Sequence, residues 1–191
     1  MNQKHDLKAQ RVRSYFLEAA KQIISSEGVE NISARKIADI AGYSYATIYN
    51  YYKDIDELLG ETKSLMVSDV MKYMQDFINF TPANIEDIKK IFIVYVRYHI
   101  DHPHIFRFFY LFKLSEAEAR KEQYDFSIPW ASTFQFLIES KIIKANEIND
   151  CAKTLIYAVQ GLLTLFFSGN GLTEEILFLD LERIIDFTLR R

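Results

Sequence analysis

The segment from Ser33 to Leu59, SARKIADIAGYSYATIYNYYKDIDELL, constrains this chain more than any other stretch. Ser33 is suited to cap a helix by accepting from the free amides of its first turn. Ile37, Ala38 and Ala41 then share one face at helical spacing, and the small alanines allow a second helix to cross closely. Gly42 stands where a left-handed residue ends a helix at little cost. Ser44 is placed to cap the next helix, whose Ile48 and Tyr52 turn inward at i and i+4. Asp54 with Glu57 forms a capping box for a third helix. Two short helices joined by a tight turn, with a third directly after, are the layout that presents one helix to a DNA groove.

The residues left facing outward are Tyr45, Ala46, Thr47, Tyr49, Asn50 and Tyr51, flanked by Arg35, Lys36 and Lys53. Tyrosine and threonine hydroxyls and lysine ammoniums contact phosphates, and arginine pairs with a guanine edge. The alternative for this surface is a small helical subdomain with its tyrosines packed on neighbours.

This stretch resembles the N-terminal domain of TetR-family transcriptional regulators. The resemblance rests on Ser33, Ile37, Ala38, Ala41, Gly42, Tyr43, Ser44, Thr47, Ile48, Tyr49, Tyr51, Tyr52, Lys53, Leu58 and Leu59, with Ser26, Glu27, Gly28 and Ile32 before them, and it covers about residues 8 to 60. It implies a dimeric, all-helical, ligand-responsive DNA binder. Carried over position by position, it makes Arg35, Tyr45, Ala46 and Thr47 base readers, and Ser33, Ser44, Tyr49, Tyr51 and Lys53 phosphate clamps. Three positions depart from the pattern. Tyr43 replaces a small aliphatic residue, Tyr45 a lysine or polar residue, and Ile55 a phosphate-contacting lysine.

The whole chain has 191 residues, 49% of them hydrophobic, with only six glycines and three prolines. Apolar residues recur at three and four rather than at two, which predicts an all-α fold of about nine helices. Residues 1–53 are expected to form the helix-turn-helix domain and 54–191 a helical ligand-binding and dimerisation domain. Net charge is −3, so any attraction to DNA is local. It would come from an N-terminal arm with Lys4, Lys8, Arg11 and Arg13, and from the helix pair with Arg35, Lys36 and Lys53. A solvated tail is the other reading of the arm. The single Cys151 excludes an internal disulfide and fits a reducing, cytoplasmic setting. The polar N-terminus carries no secretory signal. Thr154–Thr173 has no charged residue, but its apolar part is shorter than the ~20 residues a membrane span needs, so a buried helix and no membrane association are expected.

Behind the reader, a helix is predicted from Asp54 to about Phe80, with Leu58, Leu59, Thr62, Leu65, Met66, Val70, Tyr73 and Phe77 inside, on the order of 40 Å long. Others follow over Glu86–Asp101, His104 to about Leu114, Pro129–Ser140, Glu147–Ser168 and Thr173–Arg190, with Ser115–Asp125 either helix or loop. The helix ending at Phe167 is apolar almost all round, so a partner chain is expected to cover it. The expected dimer interface is Leu155, Val159, Leu162 and Phe166 with Leu177, Leu181 and Ile184, in a four-helix bundle with the symmetry mate. A monomer with an internal core helix is the alternative.

A ligand cavity in the body is expected to be apolar and aromatic, for an apolar or aromatic effector. Its candidate lining is Tyr95, His99, Phe109, Phe112, Trp130, Phe134, Tyr157, Gln160 and Thr164, although ordinary core packing explains any one of them. His99, His102 and His104 suggest a metal, but Pro103 ends their helix and no cysteine or second carboxylate joins them at a known spacing. No nucleophile elbow, glycine-rich phosphate loop or metalloprotease histidine pair is present, so neither an enzyme nor a cofactor is expected. The expectation is a homodimeric regulator, a repressor released from duplex DNA by a small molecule. The alternative is a helical ligand-binding or protein-interaction dimer whose DNA binding has degenerated.

Overall fold

A computed structural model describes residues 3–78, 82–115, 135–169 and 171–189, with side chains from Leu7 onward. All its regular elements are helical: α1 Gln3–Glu27, a 3-10 turn Val29–Asn31, α2 Ala34–Ala41, α3 Tyr45–Ile48, α4 Ile55–Phe77, α5 Ile85–Asp101 and α6 Pro103–Tyr110. A helical stretch over 135–139 and a 3-10 turn Ala145–Glu147 lead to α7 Ile148–Phe167 and α8 Glu174–Leu189. There is no strand among the described residues.

Contacts divide the chain into two compact units: Met1–Val70 with His102–Gln123, and Met71–Asp101 with Tyr124–Arg191. This cut differs from the functional division expected at residue 53. The first part of α4 and the whole of α6 group with the helix-turn-helix segment.

The first unit is built on α1. Its Val12, Phe16, Ala19, Ala20 and Ile23 recur at three and four and meet Ala34, Ile37 and Ala38 of α2, Ile48 of α3, and Tyr52 and Leu58. Phe16 is fully buried, so truncating it to Ala would cost roughly 3–5 kcal/mol. Small residues at positions 19, 20, 34 and 38 let α1 and α2 pack closely. α6 packs on α1 and on the first 3-10 turn.

In the second unit, α5, α7 and α8 bury one stripe each: Ile88, Ile91, Phe92 and Val96; Cys151, Ala152, Leu155, Ile156, Val159, Leu162 and Leu163; and Leu177, Leu181, Ile185 and Leu189. Two cross-links fix α5 antiparallel to α8. Lys89 Nζ donates to Asp186 Oδ2 at 3.0 Å, and Arg97 pairs with Glu174 with its guanidinium 4.6 Å from the centre of the Phe178 ring.

Several predicted boundaries move. α4 ends at Phe77, three residues before the predicted Phe80, and residues 79–81 lie outside the described residues. Phe77 itself is 58% exposed, not inside. α6 stops at Tyr110 rather than Leu114, since the amides of Leu111 and Phe112 both close on the Arg107 carbonyl at 2.9 Å. α7 is buried along one stripe rather than all round: Thr154, Tyr157, Gly161, Thr164 and Leu165 are exposed. By length and composition Ala145–Phe167 would also suffice to cross a membrane. The expected residues 116–134 and Arg190 lie outside the described residues.

Candidate nucleic-acid interface

The caps read from the sequence hold the helix-turn-helix. Ser33 Oγ accepts from the Lys36 amide at 3.2 Å and starts α2. Gly42 ends it at φ 76°, where a side chain would be strained. Its amide bonds the Asp39 carbonyl, and the Tyr43 amide bonds the Ala38 carbonyl at 2.9 Å, which satisfies two carbonyls α2 would otherwise leave open. α4 starts on a variant of the expected capping box, with Glu57 reaching one residue past Asp54. The Glu57 amide donates to Asp54 Oδ1 at 2.9 Å, and Glu57 Oε2 accepts from the Lys53 amide at 2.6 Å.

α3 is a single turn, Tyr45–Ile48, not the longer helix expected to reach Tyr51. After it the chain tightens: the amides of Tyr51 and Tyr52 both close on the Ile48 carbonyl, at 2.9 and 3.0 Å. Tightening brings Tyr52 into the core beside Ile48, both 1% exposed. Tyr51 follows it part-way and is half-buried against the core, 6.2 Å from the Phe16 ring, so it is not on the outward face as expected. Tyr45, Ala46, Tyr49 and Asn50 do face outward, and Thr47 is half-exposed.

Within this surface the hydroxyls are paired. Ser44 Oγ and Thr47 Oγ1 lie 2.7 Å apart, and Ser44 makes no side-chain cap to the backbone, contrary to expectation. The Tyr45 and Tyr49 hydroxyls lie 3.1 Å apart with their rings edge to face at 5.2 Å. The hydrogen bond with Tyr45 raises the Tyr49 phenol above its ordinary value.

The cations are less free than the sequence suggests. Lys36 Nζ is 2.5 Å from Glu27 Oε2. Arg13, counted with the N-terminal arm, turns inward: Nη1 donates to the Tyr51 carbonyl at 2.6 Å, Nη2 pairs with Glu61, and the guanidinium lies 4.3 Å from the centre of the Tyr52 ring. Burial pushes the Tyr52 phenol well up, and it donates over 3.4 Å to Glu61 Oε2. Arg35 is exposed with no ion pair among the described residues, and the Lys53 side chain is 84% exposed with only Asp54 at 3.9 Å. The face thus offers Arg35, Lys53 and a row of hydroxyls.

Of the three departures from the pattern the sequence resembles, Tyr45 faces outward, and Tyr43 and Ile55 pack against the core. Tyr43 packs its ring 5.3 Å from Phe16 and 6.2 Å from Tyr15, and Ile55 is partly buried against the same cluster.

Residues 16–62 match the sequence model of the bacterial regulatory proteins of the tetR family. The helix-turn-helix segment is therefore similar to the N-terminal domain of that family. The HTH-type transcriptional regulator AcrR of Shigella flexneri is 33% identical over 70 residues, which make up 37% of this chain. The match spans 33% of AcrR's own length. Over nearly the whole chain the fold is shared with RolR, solved in complex with resorcinol (TM-score 0.70, 14% identity, 97% of this chain and 96% of RolR). It is also shared with FadR of Bacillus subtilis, solved in complex with stearoyl-CoA (TM-score 0.65, 14% identity, 92% of this chain and 97% of FadR). The helix-turn-helix and the helical body behind it therefore share the fold of these solved proteins.

The body residues proposed for a ligand do not all point inward. His99 is fully buried, edge-on to Tyr95 at 4.7 Å and Tyr98 at 5.5 Å. Phe109, Phe112 and Gln160 are half-buried. Tyr157, at 63% exposure, and Thr164 lie on the outer stripe of α7 and cannot line an internal cavity of this chain. Trp130 and Phe134 lie outside the described residues. Of the expected dimer face, Leu155, Val159, Leu162, Leu177 and Leu181 are already buried within the chain, and Phe166 and Ile184 are half-buried. The apolar residues left open on α7 and α8 are instead Tyr157, Leu165, Ile176, Leu179 and Phe187, the last 87% exposed. A buried stripe on a helix fixes the opposite stripe as the outer one, and the sequence, apolar on both, did not distinguish them. No group of three metal-ligating side chains is placed together among the described residues.

Proposed function

We propose that this chain is a homodimeric, sequence-specific DNA-binding transcriptional regulator, a cytoplasmic repressor released from its operator by a small apolar or aromatic molecule. The observation that carries the reading is the outward face of α3 and α2. A core-anchored turn presents Tyr45, Thr47 and Tyr49, and Arg35 and Lys53 flank it with little competition from acidic partners. Arg35, Tyr45, Ala46 and Thr47 read bases. Ser33, Ser44, Tyr49 and Lys53 hold phosphates, and Tyr51 serves through its backbone position.

Dimerisation uses the exposed stripes of α7 and α8. Ile176, Leu179 and Phe187 recur at helical spacing on a surface that water would otherwise cover, and an apolar stripe of this size marks a protein contact. A twofold dimer carries two readers, whose half-sites lie about one DNA turn apart, roughly 34–36 Å, or somewhat more. Support for a small-molecule effector comes from fold neighbours solved with resorcinol and with stearoyl-CoA.

Selection from a random duplex pool at physiological salt tests the reading. A recovered palindrome is the expected result. A folded protein that enriches no sequence, with or without candidate effectors, overturns it in favour of a ligand-binding or interaction dimer.

A further inference from the structure

Arg13 and Glu61 are used by neither the core nor the outward face, yet they meet at the point where the reading segment joins α4. α3 is too short to hold its own geometry, because helices under ~12 residues are marginal without tertiary contacts. The turn after α3 takes up the Thr47 and Ile48 carbonyls with the amides of Asn50, Tyr51 and Tyr52, and the Tyr51 carbonyl at its end is met by a side chain. The Tyr51 carbonyl is taken by Arg13 Nη1 from α1, 38 residues away in sequence. The same guanidinium pairs through Nη2 with Glu61 on α4 and covers the Tyr52 ring, and the Tyr52 hydroxyl also donates to Glu61. Only a planar fork makes these contacts at once. A lysine ammonium is a single point of charge.

A second rung lies farther along the same pair of helices. Lys21 Nζ donates to Asp69 Oδ2 at 2.9 Å. Both rungs advance by the same eight residues, 13 to 21 and 61 to 69, so α1 and α4 run parallel with matched register. At 1.5 Å rise per residue, a slide of α4 by one turn along α1 breaks both rungs together.

We propose that Arg13 and Glu61 are positioning residues that clamp the end of the DNA-reading segment to α4, so that the register of α4 on α1 sets the pose of the reader. The inference rests on the DNA-binding reading above. It assigns regulation of that surface to a side-chain link rather than to the apolar core.

The charge of Glu61 makes the test decisive. Removing an acid beside a DNA-binding face strengthens or leaves unchanged the attraction to phosphates. Loss of a positioning contact weakens binding instead. The full-length wild type, Glu61→Gln and Arg13→Gln are titrated by fluorescence anisotropy against the duplex recovered by selection and against a scrambled duplex, over a range of salt. Each is held well below its melting temperature. Glu61→Gln is expected to lose about tenfold on the selected duplex and nothing on the scrambled one. Arg13→Gln is expected to do the same with an unchanged slope of log K against log salt, and the double variant is expected to be no weaker than the weaker single. Amide exchange of the 49–52 segment in the free protein, with no DNA present, should quicken in both variants while α2 keeps its protection.

Wild-type-like or tighter binding by Glu61→Gln overturns the proposal. So does a salt slope reduced by about one in Arg13→Gln, which would make Arg13 a phosphate contact. So does unchanged exchange over 49–52. A wild type that binds no duplex overturns the DNA reading, and the exchange result then decides the clamp separately.

Discussion

Lys36 Nζ sits 2.5 Å from Glu27 Oε2, while its neighbour Arg35 reaches solvent with no ion pair among the described residues. Two adjacent cations at the start of α2 therefore have different roles. Lys36 links α2 to the end of α1, and Arg35 is left open for the proposed DNA contact. Lys36→Ala is expected to change operator affinity by no more than about twofold, since exposed ion pairs contribute little. Arg35→Ala is expected to relax preference at one base pair, with a loss of about 1–3 kcal/mol confined to the cognate base. Titration against single-base operator variants separates the two. Equal losses for Arg35→Ala on every sequence would end its role as a base reader.

Tyr49, whose hydroxyl lies 3.1 Å from that of Tyr45, and Lys53 are the proposed phosphate contacts. Tyr49→Phe combined with Lys53→Ala is expected to weaken all duplexes alike. The slope of log K against log salt should fall by about 0.9, from the single lysine charge removed. Sequence-dependent losses in this double variant would move Tyr49 from the phosphates to the bases.

The local signals of the helix-turn-helix were legible in the sequence because each acts within a few residues. Ser33, Gly42 and Asp54 with Glu57 are caps, and Ile48 with Tyr52 is an i, i+4 pair; all four sit where read, with Glu57 reaching the Lys53 amide. What the sequence left hidden depends on partners far along the chain. Arg13 reads as part of a basic arm until the fold brings Tyr51 and Glu61 to it, 38 and 48 residues away. Lys36 reads as a DNA contact until Glu27 lies beside it. The stripe of α7 that the chain itself buries was hidden for a related reason. α7 is apolar on both stripes, and only packing against α5 and α8 decides which one is buried.

Tyr43 shows how a departure from a family pattern is absorbed. Its ring stands against Phe16 and Tyr15 where a small aliphatic side chain would leave that edge of the core open. Tyr43→Val is expected to destabilise the chain by about 1–2 kcal/mol, since the ring is only half-buried. That lowers the melting temperature by roughly 2–8 °C, which calorimetry reads. A variant as stable as the wild type would mean the turn packs without the ring.

Asp87 gives a dependence on acid. Its carboxylate is held below its ordinary 3.8 by the hydrogen bond with Lys90 and by the amide of Ala83. A carboxylate lowered in the folded state stabilises the fold above its unfolded value, and that contribution is lost as pH falls through the folded value. Asp87→Asn is expected to melt below the wild type at neutral pH, with the gap closing as pH drops from about 4. Melting curves from pH 7 to pH 2 test it. A gap that persists at pH 2 would mean the asparagine disturbs the start of α5 for reasons other than charge.

Phe187 is 87% exposed and Leu179 45% exposed on the outer stripe of α8, whereas Leu177 and Leu181 on its inner stripe are fully buried. The two stripes therefore predict opposite consequences for the same kind of substitution. Phe187→Asp with Leu179→Glu places two charges on the proposed interface while leaving the buried stripe of α8 intact. Helicity should be kept, with the mass by light scattering halved. Because each monomer keeps one reader, affinity for a full palindrome should fall toward that for a half-site, losing the 10²–10⁴-fold gain that linked binding supplies. Leu181→Glu, by contrast, buries a charge and is expected to unfold the second unit outright. A double variant that remains dimeric would place the interface elsewhere and leave the outer stripe of α8 without a partner of its own kind.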